Sequence, residues 1–211
     1  MATTIIPSAH QEKELHLKHW VRGKLGGIEH ELRVISIAAK LFDVTRRWHA
    51  LGAGELRLLT LAALVHDVGR AVCAKGHAKE GARMITESKD LPLGEGERRR
   101  LAFLTRYHRG AVPEAGDALH LDAARDDVSA ARVVLGLLRA ADGLDARSGS
   151  GAQLVVTVRA RVVTIYGYFV GDAVGTKSLP GKKKKMRLLE ETLGCQIKTE
   201  WFRTDGVAMV S

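Results

Sequence analysis

Cysteine is scarce in this chain. Cys73 and Cys195 are the only two, 122 positions apart. Two such thiols do not make a disulfide framework. Reduced thiols are the simpler reading, and a cytoplasmic location is expected. Long apolar runs are missing too: nothing approaches 18 consecutive apolar residues, so no membrane span is expected. The opening "MATTIIPSAHQEKELHLKHW" holds no apolar core of signal-peptide length. Aromatic residues make up 5% of the chain. Trp48, Trp201 and Tyr166 are read as core rather than as stacking platforms for bases. Acidic residues are outnumbered, 24 against 33 basic ones, for a formal net charge of +9. That balance favours an anionic partner: a phosphorylated metabolite, polyphosphate, nucleic acid or a membrane surface.

What is present is enough for a full core. Hydrophobic residues make up 45% of 211, which suits one ordinary domain or one with a small appendage. The first two-thirds reads helical, with helices over 9–21 (Ser8 as N-cap), 28–51, 54–67, 77–88, 95–108 and 125–143. In the second, one row is Ile28, Leu32, Ile35 and Phe42, and the next is His30, Val34, Ile37 and Leu41. Then "ARSGSGAQ" reads as a linker. "LVVTVRA" and "RVVTIYGYF" read as an antiparallel strand pair, "KKKKMRLLEETLG" as a helix and "CQIKTEWF" as a third strand. The expected fold class is α+β: a mainly helical domain over 1–147, then a small β-β-α-β unit over 151–211. The tail is expected to be structural or anion-binding rather than catalytic. It offers no histidine, and its only aspartates are Asp172 and Asp205. The lysines at 182–185 are read as exposed surface.

"LAALVHDVGR", residues 61–70, poses the functional question. An apolar helix ends in His66 and Asp67, and a carboxylate buried there needs a cation, a basic partner or solvent. Three other helices repeat the pattern. His30 begins the row of Val34, Ile37 and Leu41. His108 follows Leu101 and Leu104, and Asp142 follows Ala131, Leu135 and Leu138. Each helix thus places a histidine or aspartate in line with its buried face. Imidazole nitrogen and carboxylate oxygen suit Mn, Fe, Co, Ni, Zn or Mg.

The ordered set His30, then His66-Asp67, then Asp142 in "LLRAADGLD" resembles the HD superfamily of metal-dependent phosphohydrolases. More narrowly, "HDVGR", "GHAKEGARMI", "LTRYHRGAVP" and "LLRAADGLD" are similar to the C-terminal half of the exopolyphosphatase/guanosine pentaphosphatase family. The resemblance covers the chain from about residue 10. It implies that His30, His66, Asp67 and Asp142 hold one divalent metal. His77 and His108 match positions that supply a second metal or contact phosphate. Glu80 stands where the family often carries histidine. No counterpart of the family's actin-like half is expected in these residues, so exopolyphosphatase activity does not carry over directly.

A metal so held leaves coordination positions open, acidifies water and steadies charge at phosphorus. Arg33, Arg70, Lys75, Lys79 and Arg109 flank the proposed ligands, and Arg33, Lys75 and Arg109 are the candidate phosphate contacts. Asp67, His77 and His108 are the candidate catalytic groups, with His77 or His108 as general acid where no second metal sits. The leading expectation is a metal-dependent, exopolyphosphatase-like phosphohydrolase acting on a phosphate-rich small molecule or nucleotide. Its rival is a non-catalytic module that binds polyphosphate or an alarmone. Nucleic acid is a less favoured partner, and a homo-oligomer is left open.

Overall fold

The structure, a computed structural model, describes residues 9–114, 117, 128–145, 153–170 and 183–204. Ser8, the linker residues 146–152, Lys182, Asp172 and Asp205 lie outside them, as does the expected boundary between 147 and 151. The described elements are α1 (Ala9–Leu25), α2 (Glu29–His49), α3 (Ala53–Val65), a 3-10 turn (Val68–Ala71), α4 (His77–Glu87), α5 (Glu95–Tyr107) and α6 (Val128–Leu144). They are followed by β1 (Gln153–Arg159), β2 (Val162–Val170), α7 (Lys183–Leu193) and β3 (Gln196–Thr204). The mainly helical α+β class is as expected, and no described helix is long and apolar enough to cross a membrane.

Local chemistry sets the helix ends. α2 carries Glu29 and Glu31 in its first turn and Arg46, Arg47 and His49 in its last, matching the helix dipole at both ends. At the start of α3 the Glu55 carboxylate accepts the Gly52 N–H at 2.9 Å, satisfying a donor the helix leaves open. α1 runs four residues past its expected end and stops at Gly26, whose φ of +82° favours glycine.

α6 is the axis of the fold. Val133, Val134, Leu135, Leu137, Leu138, Ala140 and Ala141 are buried on every side of it, as a helix apolar all round must be. It packs against α2, α3, α5 and α7. On α2 the buried stripe is Val34, Ala38, Leu41, Phe42 and Thr45. The row Ile28, Leu32, Ile35 and Phe42 is buried only at its ends: Leu32 is 42% exposed, because the face toward α3 and α6 is the Val34–Leu41 one. Glu31 is buried instead.

The sheet has the order β1-β2-β3. β1 and β2 form the expected antiparallel pair, closing at Arg159 opposite Val162. β3 lies parallel to β2, with Val162 opposite Gln196, and α7 makes the crossover that a parallel pair requires. β1 alternates between exposed and half-buried positions, so one face of the sheet packs and the other stays wet. Val163 and Ile165 of β2 and Met186, Leu188, Leu189 and Leu193 of α7 join the same apolar cluster as α6.

Candidate metal centre

α3 was expected to reach residue 67, but it ends at Val65. His66 caps it, and Asp67 begins the 3-10 turn. The chain tightens here because α4 lies against the turn. A Cβ on Gly69 would stand 2.1 Å from the His77 carbonyl oxygen and 2.4 Å from the Gly81 nitrogen. Only glycine permits that approach, and it brings His77, the first residue of α4, to the Asp67 carboxylate. His77 Nε2 is 3.0 Å from Asp67 Oδ1.

Besides α4, which brings His77, four more helices meet at this point. His30 comes from α2, His66-Asp67 from the end of α3, His108 from the end of α5 and Asp142 from α6. His66, Asp67, His77, His108 and Asp142 are all buried, and His30 is nearly so. One donor atom each from His30, His66 and Asp67 falls within 4.8 Å of the others. The same holds for His66, His108 and Asp142, and for Asp67, His77 and His108. Asp67 belongs to two of these sets. Its Oδ1 faces His77, His108 and His66, at 3.0, 3.4 and 3.8 Å. Its Oδ2 lies 3.7 Å from His30 Nε2. Asp142 Oδ1 stands 3.6 Å from His30 Nε2 and 3.7 Å from His66 Nε2.

The backbone fixes which nitrogen each ring presents. His66, His77 and His108 place Nδ1 at 2.8, 2.8 and 2.7 Å from the carbonyl oxygens of Ala63, Ala74 and Thr105. A carbonyl only accepts, so each Nδ1 carries the proton and each Nε2 turns inward with its lone pair. His30 does the same through a carboxylate, with Nδ1 2.6 Å from Asp145 Oδ2. Such outer partners orient metal-binding histidines and fix their tautomer. The result is four inward nitrogens facing two carboxylates. His30 Nε2 and His66 Nε2 are only 3.3 Å apart, and the buried His108 Nε2 finds no hydrogen-bond partner among the described residues. Nitrogens this close share a proton or a metal ion, and the donor set could hold a divalent ion.

The two carboxylates are held ionised by their neighbours. Burial pushes the Asp67 carboxyl upward, but the surrounding His108, His77 and His66 rings outweigh it and hold the pKa far below the carboxylate range. Asp142 behaves alike: burial opposes, while His30, His66 and Lys185 hold it ionised. Burial drives the His108 imidazole down to about 4, so it is neutral near pH 7.

The cations take different places. Arg33, a candidate phosphate contact, is engaged: its Nε donates to Asp145 Oδ1 at 2.7 Å and its Nη2 to Asp145 Oδ2 at 3.1 Å. Arg70 Nε holds Asp67 Oδ2 at 2.6 Å. Arg109 is exposed, with a guanidinium nitrogen 3.4 Å from His77 Nε2. Lys75 and Lys79 are exposed beside His77 in sequence. Glu80 pairs with Arg83 on the outside of α4, away from the ligand set. An open groove lined by Lys24, Glu29, Glu31 and Arg70 leads to His30 and Asp67.

Three residues of the site escaped the sequence reading. Asp145 sits one turn beyond Asp142 on the same face, a spacing that could have flagged it. Arg139, 2% exposed, donates to the carbonyls of Tyr107 and Gly110 at 2.6 and 2.9 Å and so anchors the segment that carries His108. Lys185 was read as exposed with its lysine run. Lys183 and Lys184 are exposed, but the Lys185 ammonium is drawn inward to Asp142 Oδ2 and lies 3.2 Å from the His108 carbonyl. No sequence signal separates it from its neighbours.

The profile of the Ppx/GppA phosphatase, domain III, matches residues 27–154. That span takes in His30, the His66-Asp67 pair, His77, His108, Asp142 and Asp145. No curated protein gives a significant match to the chain.

Proposed function

The chain belongs to the Ppx/GppA phosphatase domain III family, and from that premise we propose that it is a divalent-metal-dependent phosphohydrolase of the HD type. Its substrate is a small phosphate-rich molecule or nucleotide. The observation that carries the reading is the convergence of four inward Nε2 atoms and two ionised carboxylates in one buried space. His30, His66, Asp67 and Asp142 hold the ion. Asp67, His77 and His108 form the adjoining set for a second. Imidazole-rich donors favour Mn, Fe, Co, Ni or Zn over Mg. When bound, such an ion lowers the pKa of water and takes up charge developing at phosphorus.

The chain's own residues do the rest. Arg109 beside His77, with Lys75 on the turn before α4, offers donors to phosphate oxygens at the rim. Arg33 serves differently from the first expectation. Clamped on Asp145, it fixes the carboxylate that orients His30. With its imidazole neutral near pH 7, His108 acts as a ligand rather than as a proton donor. The burial of His66, Asp67 and His108 excludes bulk water, which strengthens each of these charges.

One observation favours the second reading, a binding or regulatory module. Arg70 on Asp67 and Lys185 on Asp142 already supply positive charge to both carboxylates. A panel of phosphate monoesters, nucleotides and short polyphosphates, assayed with and without added Mn2+, separates the two. The enzyme reading predicts Mn2+-dependent phosphate release that EDTA abolishes. Saturable binding of a panel member with no release at any metal concentration supports the binding module instead.

A further inference from the structure

Of the cations around the centre, Lys185 alone arrives from α7. Two glycines of α6 make the approach possible. Gly136 and Gly143 are two turns apart on one face of α6. A Cβ on Gly136 would stand 3.0 Å from the Leu189 Cα, and one on Gly143 would stand 2.7 Å from the Lys185 Cβ and 3.0 Å from its Cγ. α7 therefore lies close along α6, and the Lys185 stem runs past Gly143 to the carboxylate of the preceding residue, Asp142. The stem is packed and only the tip meets the site: the side chain is 23% exposed. The ammonium also contacts the His108 carbonyl at 3.2 Å, so it touches the backbone of a second residue of the cluster.

The contact divides Asp142. Oδ1 faces His30 Nε2 and His66 Nε2, and Oδ2 is taken by Lys185. We propose that Lys185 is a positioning residue of the metal centre: it reserves Asp142 Oδ2 so that Asp142 ligates through Oδ1 alone. This rests on the metal-site reading above and deepens it. A carboxylate free to turn both oxygens on an ion fills two coordination positions. One held by an ammonium fills one, leaving a position for water or a phosphate oxygen. The fixed positive charge also lowers affinity for the ion, by electrostatic repulsion. Lys185 thus trades tightness of metal binding for an open position. It also makes the C-terminal segment part of the site.

The test uses Co2+ as a spectroscopic probe on the full chain. K185M keeps the apolar stem and removes the charge, while K185R retains a cation. K185Q is the second variant should K185M fail to fold. The expected result is a changed Co2+ absorption spectrum in K185M, in the weaker, more highly coordinated sense. Binding tightens on the order of tenfold, the scale of one partly screened unit charge, and K185R returns both toward wild type. An unaltered Co2+ spectrum in K185M and K185Q overturns the proposal while leaving the metal site standing. A wild-type chain that binds no Co2+ overturns the metal site itself.

Discussion

Histidine tautomers are where this protein commits itself. Four rings spend Nδ1 on a carbonyl or carboxylate, and so four Nε2 atoms face Asp67 or Asp142. The backbone makes the choice, three residues upstream of His66, His77 and His108, so the pattern is local and robust. On the proposed reading, Arg109 and Lys75 are the cations placed to meet a substrate phosphate. Arg109→Gln should raise KM for a phosphate ester by roughly 10- to 150-fold with a smaller change in kcat, since one charge-assisted contact is worth roughly 1.5–3 kcal/mol. Steady-state kinetics read this, and an unchanged KM would remove Arg109 from the phosphate site. A second residue-scale expectation concerns the thiols. Burial, with Glu190 nearby, pushes the Cys195 thiol up to about 11. The reactive thiolate of Cys195 is then a small fraction at pH 8. Alkylation with iodoacetamide at that pH should label Cys73 first, and mass spectrometry of each peptide gives the two rates. Equal rates would contradict the raised pKa of the Cys195 thiol.

At the scale of elements, the centre depends on how closely turns and helices approach. Gly69 is the clearest case, because its missing Cβ admits backbone rather than a flexible side chain. Gly69→Ala should cost about 2–4 kcal/mol through forced displacement of α4. It should also weaken metal binding by moving His77 away from Asp67. Denaturant unfolding and metal titration check the two parts separately, and a variant as stable as the parent would refute the packing argument. The helices and strands were legible from sequence because each carries its own signal. Period-3.6 rows marked α2 and α6, β-branched runs marked β1 and β2, and Gly26 and Gly194 marked stops. The positions His30, His66, Asp67, His77, His108 and Asp142 were legible because each begins or ends an apolar row or sits in a resembling motif. What sequence could not carry was the second layer. Arg33 turning to Asp145, Arg139 anchoring three carbonyls and Lys185 reaching Asp142 all depend on contacts at least 28 residues apart in the chain. Leu32 turning outward likewise depends on which face of α2 meets α6.

At the scale of the molecule, the centre sits where α2, α3, α4, α5 and α6 come together, with α7 behind it. Among the described residues, an open groove at Lys24, Glu29, Glu31 and Arg70 reaches His30 and Asp67. The surplus of basic residues suits an anionic substrate. The central claim is that the buried histidines and aspartates hold a divalent ion through Asp67. It is tested most directly by elemental analysis of the purified chain after dialysis against Mn2+, Fe2+, Co2+, Ni2+, Zn2+ and Mg2+ in turn, with Asp67→Ala in parallel. The wild-type chain should retain at least one ion of one of these metals, and Asp67→Ala should lose it with the circular-dichroism spectrum unchanged. A folded wild-type chain that retains none of them, or an Asp67→Ala variant that retains as much as wild type, would contradict it.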